Sequence, residues 1–359
     1  MVSRSTGVRL GVSMIAISAL LVGCAGGGTT PTDDSSAEPP VTLTFVAYGG
    51  VGQEAMIHSY QQPYTAANPS VTFINTSPPD VAQVKAQVEA GAVLWDVVAT
   101  SPAAATQNCG TLFEPLDFSD VDTADLVEGT VGECYIGNFI NATPFAYRTD
   151  AFPDPAKAPK TIADFFNVAK FPGQRGIITN LQNGILEYPL LADGVAPDDL
   201  YPLDVDRALA KLDTIRDVTT FAPNVGALQQ AVGSNQVDLF LLSDSRLVPL
   251  MNDGADITVV WDVTVASINA FAVPKGSPKA ATANEFLKTV VSPEAVKGIT
   301  EALGTAPVNL SATLDLSENA KKVEVFGAAN TGETVVQDVS WYADNFNEVS
   351  TKLTNWLAG

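Results

Sequence analysis

Two rhythms of apolar residues alternate along the chain, and the switches between them predict strands and helices in turn. Residues 41–48 (VTLTFVAY) form a short apolar run rich in β-branched and aromatic side chains, and 53–67 carries helical spacing through Ala55, Met56, Tyr60 and Tyr64. A second strand is predicted over 71–75. Ser77-Pro78-Pro79-Asp80 then opens a helix with Val81, Val84 and Val88 on one face and Gly91 after its end, and 96–99 (DVVA) reads as a third, buried strand. Strands alternating with helices in this way predict a parallel α/β lobe, in which ligands gather at the carboxyl ends of the strands. Those ends are Tyr48-Gly49-Gly50 and Thr100-Ser101.

Residues 140–147 (INATPFAY) predict a strand that leaves this lobe, and after Pro153, Pro155 and Pro159 a helix start at Thr161 begins a second one. The second lobe holds a strand over 176–179, helices over 184–192, 204–215 and 226–232, and the strand 237–242 (VDLFLL). Strands 257–261 and 267–273 follow, the latter returning the chain to the first lobe ahead of a helix over 280–290. The length exceeds one typical domain and suggests two cores. The division expected is 41–142 with 269–312 as the first lobe and 143–268 with 313–359 as the second.

The amino-terminal stretch follows a different pattern. Arg4 and Arg9 precede an uncharged run over 10–22, and Leu21-Val22-Gly23 leads into Cys24. This is the pattern of a lipoprotein signal over 1–23, too short to span a bilayer comfortably, with Cys24 as the lipidated first residue of the mature chain. Two or more acyl groups anchor stably where one does not. Residues 24–40, composed of Gly, Ser, Thr, Pro, Ala and acid after the cysteine, cannot bury a core and read as a flexible tether.

Charge narrows the partners. The net charge is −21, and loss of 1–23 removes two arginines and no acid, which leaves −23. Nucleic acid and anionic membrane surfaces are unsuitable partners for such a body. The acidity serves solubility or attracts a cationic ligand. With Cys24 assigned to lipid, Cys109 and Cys134 remain, in a compartment where disulfides persist; they are expected to pair, the alternative being a reactive thiol. One histidine, His58, cannot furnish a metal shell with them, and no cofactor is expected. There is no G-x-S-x-G elbow and no P-loop, so an enzyme is disfavoured. An adhesive lipoprotein, which would expose an apolar patch in place of a polar cleft, is a further class.

At this point the residues carry a resemblance. The segments 84–97 (VKAQVEAGAVLWDV), 110–117 (GTLFEPLD), 143–150 (TPFAYRTD), 161–171 (TIADFFNVAKF), 271–278 (FAVPKGSP), 286–295 (FLKTVVSPEA) and 304–309 (GTAPVN), in this order and spacing, resemble solute-binding proteins of ABC importers related to the spermidine/putrescine-binding proteins. The resemblance implies an α/β, two-lobed periplasmic-binding-protein fold, type II-like, with two parallel-rich sheets joined by hinge strands. It further implies a monomer that closes on a small-molecule solute and docks on an ABC permease with its ATPase.

The ligand positions carried over by that resemblance are Tyr48, Gly49 and Gly50 after the first strand and Ser101 after the third. Asn141 lies on the first crossing strand, Ser243 and Asp244 end VDLFLL, and Asn269 lies on the returning strand. Gly49-Gly50 serves either a sharp turn or backbone donors for an anion. Arg246 either binds an anion or pairs with a surface acid. Trp95-Asp96 is assigned to packing near a turn and left out of the site. Polyamine receptors use several carboxylates and aromatic walls. Here 180–183 (NLQN) holds amides, with Glu187 a turn later, and the returning strand carries Ser267 and Asn269. The expected solute is therefore a polyamine-type molecule or another amine or zwitterion, with an anionic or sugar-like solute as the alternative. Asp244→Ala should lose ligand affinity while unfolding stays cooperative; unchanged affinity removes Asp244 from the site.

Overall fold

In a computed structural model of the protein, residues 39–359 are described; the signal, Cys24 and most of the tether lie outside the described residues. Ten strands account for the sheet: β1 Val41–Val46, β2 Val71–Thr76, β3 Val97–Thr100, β4 Val131–Gly132, β5 Tyr135–Arg148, β6 Arg175–Ile178, β7 Thr219–Ala222, β8 Leu239–Leu241, β9 Ile257–Ala272 and β10 Glu333–Val336. Their hydrogen-bonded order is β2-β1-β3-β9-β5-β8-β6-β7, with β10 against β9 and β4 against β5. The first three strands are parallel, as are β8, β6 and β7, whereas β9 runs antiparallel to β3 and β5 and parallel to β10, and β5 runs antiparallel to β4, β8 and β9. The sheet is thus mixed. The two parallel halves form one continuous ladder because the 14-residue β5 and the 16-residue β9 pass through both lobes.

Two groups of buried side chains lie on either side of that crossing. Leu43, Phe45, Val97, Ile136, Phe271 and Phe286 centre the first, with Phe271 edge-on to Phe45 at 5.0 Å and to Tyr60 at 5.9 Å. Phe145, Phe165, Ile177, Leu190 and Leu239 centre the second. The carboxyl-terminal helix Val339–Ala358 contributes Tyr342, Val349 and Leu353 to the second, whereas Val325 packs with the first.

One expectation is corrected. Residues 257–261 and 267–273 are one strand, because the acid that interrupts the apolar pattern is satisfied in place: the Asp262 carboxylate accepts the backbone N–H of Ile162 at 2.8 Å. The pairing with β5 nevertheless breaks there, passing from Thr143↔Val265 to Phe145↔Val260. Pro144 stands at the break and has no N–H to give to a ladder. Across the same stretch β9 pairs with β10 through Val263–Ala266, an edge strand that the apolar pattern does not mark.

Local packing explains other sequence signals. Asp96, 1% exposed, accepts from the Thr44 N–H at 2.8 Å, the Ser277 hydroxyl at 2.7 Å and the Lys279 ammonium at 2.8 Å, so it staples β1 to the turn after β9. The helical run from Gly50 to Ala67 includes one wide turn over Ile57–Gln61, next to which Gly298 lets the helix Pro293–Leu303 approach Ser59 closely. Cys109 and Cys134 are joined in a disulfide, with Cα atoms 5.5 Å apart. Their sequence separation of 25 closes a loop that contributes about 3 kcal/mol in the chain-entropy model. Cys134→Ala should lower the free energy of unfolding in urea by about that amount, and reductant should then have no further effect.

Candidate functional site

The crossing strands carry a line of buried and half-buried polar side chains on one face. Asn141 on β5 pairs directly with Ser267 on β9, so their side chains share one face of the sheet, and Asn269, two residues along, returns to that face. Ser267 and Asn269 are buried and Asn141 is half-buried. Thr143, opposite Val265 two residues further on, belongs to the same row. This row is the floor between the lobes.

The first lobe supplies one wall. Tyr48 follows β1 and is 52% exposed along its ring, yet its hydroxyl reaches inward and accepts a hydrogen bond from Asn269 Nδ2 at 3.0 Å. Burial of that hydroxyl raises its pKa above the usual phenol value. Asn269 Oδ1 is buried with no partner among the described residues. Ser101 follows β3 and caps the helix Pro102–Gln107, accepting from the Ala104 N–H at 3.1 Å. Gly49 and Gly50 both have positive φ, 75° and 55°, and turn the chain into its helix. The Gly49 N–H is taken by Gln53 Oε1 at 3.3 Å.

The second lobe supplies the other wall. Asn183, from the turn Leu181–Asn183, donates to Thr143 Oγ1 at 3.0 Å. Ser243 and Asp244 lie at the start of the helix Asp244–Asn252, 2% and 1% exposed. The Asp244 carboxylate accepts from Ala142 N–H on β5 at 3.0 Å and from Ser245 N–H at 2.6 Å, which ties the helix start to the residue beside Asn141. Burial outweighs both donors and pushes the carboxyl pKa up to about 8. Arg246 is exposed and, among the described residues, has no side-chain partner, so pairing with a surface acid does not occur.

Beside the polar row lies a cavity of about 40 Å³ lined mainly by apolar surface of Pro102, Ala103, Leu181, Ile268, Val339 and Phe346, with Ser101, Gln182, Ser267, Gln337 and Tyr342 as its polar members; of the expected ligand residues only Ser101 lines it, and Tyr48, Gly49, Gly50, Asn141, Ser243, Asp244 and Asn269 do not. That is room for a water-sized group, so the lobes stand close together. Larger grooves, of about 470 and 560 Å³, lie on surfaces away from the crossing strands, one beside Tyr60 and Gly298 and one along 307–326. Gln337 and Tyr342 escape the sequence reading because they follow the short edge strand β10; the available signal was Asp338, which caps the last helix by accepting from the Trp341 N–H.

Two lobes joined by crossing strands, with buried amides, hydroxyls and one carboxylate near the crossing, define the architecture of a cleft-binding protein. Residues 55–327 match the model of the bacterial extracellular solute-binding proteins, and the chain belongs to that family. It is similar to the gamma-aminobutyric acid-binding protein of Pseudomonas aeruginosa, 28% identical over 324 residues that span 88% of this chain and 91% of the relative. Among solved structures it is similar to a GABA receptor, with 30% identity, a TM-score of 0.80 and coverage of 88% of this chain and 97% of the other. A binding protein of A. tumefaciens R10 in complex with agropinic acid shares 30% identity, with a TM-score of 0.72 and coverage of 89% and 99%. The protein is the solute-binding component of an ABC importer and works outside the cytoplasm; its relatives are binding proteins.

Asp244 carries a pH signature. The unfolded carboxyl titrates near 3.8 and the folded one near 8, so the folded state holds the extra proton between these values. Its contribution to stability therefore falls as pH rises through that window, at up to about 1.4 kcal/mol per pH unit. Asp244→Asn should unfold at the same temperature as the wild type near pH 4 and at a higher one at pH 8; parallel melting curves at both pH values would contradict the buried carboxyl.

Proposed function

We propose that the protein captures a small amine-bearing solute, a zwitterion of the amino-acid type, between its lobes and presents it to the permease. The observation that carries this reading is the single buried carboxylate, Asp244, at the end of a polar row otherwise made of amides and hydroxyls. An ammonium group pairs with a buried carboxylate by charge-assisted hydrogen bonds, and one carboxylate suits one amine better than a long polyamine. Arg246, in the same helical turn and without a partner, supplies a guanidinium for the acid end. Tyr48, Ser101, Asn141, Ser243 and Asn269 contribute hydroxyl and amide groups, and Gly49 and Gly50 shape the turn beside them. That relatives are named for GABA and agropinic acid supports a zwitterionic or acidic amine over a polyamine.

On this reading the lobes comprise 41–142 with 269–312 and 143–268 with 313–359, and rotate about β5 and β9. Cys24 carries the lipid that holds a monomer at the outer face of the cell membrane. Ligand shifts the open and closed populations by its differential affinity for the closed form.

The test uses Pro39–Gly359, which forms one unit of the fold, titrated calorimetrically with GABA, 1,4-diaminobutane, succinate and glucose. GABA should bind, with affinity that rises up to about tenfold per pH unit between pH 6.5 and 8 as Asp244 gives up its proton, and Asp244→Asn should flatten that rise. Binding of succinate or glucose alone would sink the amine assignment and leave the receptor class standing.

A further inference from the structure

Glu187 lies in the helix Glu187–Ala192 and is 0% exposed. One of its oxygens, Oε1, accepts from the Tyr201 hydroxyl at 2.8 Å, the Tyr342 hydroxyl at 2.7 Å and the Gln337 amide nitrogen at 2.7 Å. The other, Oε2, is buried and unpartnered. Burial raises this carboxyl above its ordinary range despite the three donors. A proton taken up by the group sits on Oε2, where nothing competes for it, so Oε1 remains an acceptor in either state.

The Gln337 side chain is therefore held from two sides. Its amide nitrogen donates to Glu187 and also to the Leu181 carbonyl at 2.8 Å, and its backbone N–H donates to the Ala266 carbonyl on β9 at 2.9 Å. The two short bonds go to groups that only accept, and the Tyr342 hydroxyl, a longer third partner of the nitrogen at 3.4 Å, gives its own proton to Glu187 Oε1. Turning the amide over would set its oxygen against a carboxylate oxygen and a carbonyl oxygen, so the orientation is fixed by chemistry. The oxygen is left pointing away from this network. Among the described residues no donor reaches it, and Gln337 lines the inter-lobe cavity with Ser101, Gln182 and Ser267.

We infer that Glu187 is a positioning residue: by locking the Gln337 amide it presents a fixed carbonyl oxygen to the cleft, so that this end accepts N–H donors of the solute and leaves its carboxylate to the Arg246 side. The inference rests on the reading of the cleft as the solute site and adds to it a determinant that touches no solute. The geometry places the two poles on opposite edges of the crossing. Gln337 bonds Ala266 on β9, Ala266 pairs with Ala142 on β5, and Ala142 bonds Asp244.

The experiment has a ligand-free arm and a ligand arm. In the first, the side-chain amide hydrogens of Gln337, assigned by their loss in Gln337→Leu, should exchange slowly in Pro39–Gly359 and at least about tenfold faster in Glu187→Met, while Glu187→Gln, which keeps an oxygen for Gln337, preserves the protection. Equal exchange in wild type and Glu187→Met overturns the lock. In the second, the ratio of the dissociation constants of GABA and 1,4-diaminobutane is measured. Glu187→Met and Gln337→Leu should each move it toward GABA by about tenfold, and Glu187→Gln should leave it within about threefold. A shift in Glu187→Gln as large as in Glu187→Met means that the charge at 187 acts directly, and overturns the positioning role; so does an unmoved ratio in Gln337→Leu, which remains decisive if Glu187→Met does not fold. If wild type binds neither probe, the solute reading falls, and the exchange arm alone decides the lock.

Discussion

Everything in this molecule depends on two strands being long enough to belong to two cores at once. β5 and β9 are ordinary members of the first lobe's sheet at one end and of the second lobe's sheet at the other. Between the cores the face they share carries Asn141, Thr143, Ser267 and Asn269. When the lobes stand close, these polar groups are buried without a full set of partners, as Asn269 Oδ1 is. Buried polar atoms without partners are costly, and a ligand that satisfies them recovers that cost. The architecture thus creates both the cleft and the demand for something polar in it.

The same constraint explains why the two walls are built differently. The first lobe reaches the floor through loops after parallel strands, which place Tyr48 and Ser101 at strand ends. The second reaches it through helix and turn starts, where the side chains of Asn183 and Asp244 bond to Thr143 and to the Ala142 N–H. The carboxyl-terminal segment adds a third approach, with Gln337 fastened to β9 by its backbone and to Glu187 by its side chain.

Much of this was legible in the sequence because it follows from local periodicity. The alternation through 41–99 marks the parallel strands and their carboxyl ends, and Asp80 and Thr161 mark helix starts that the structure confirms as caps. What escaped depends on distant partners. Asp262 looks like a strand breaker until the Ile162 N–H is known to sit against it. Glu187 looks like one acid in a helix, and only Tyr201, Tyr342 and Gln337, far away in the chain, turn it into a buried anchor. The freedom of Arg246 is likewise a property of what does not approach it, which no local pattern records.

The missing N–H of Pro144 has a mechanical meaning. Across the residues of β9 from Trp261 to Thr264 no rung joins the two crossing strands, while rungs resume on both sides. Among the described strands β10 alone holds β9 there, through Val263–Ala266, and a rotation of one lobe against the other that is concentrated at this gap stretches no bond between β5 and β9. Like a score line in a plate, it lowers flexural stiffness along one axis and leaves the panels on either side rigid, so the direction of bending is written into the covalent chain before any solute arrives.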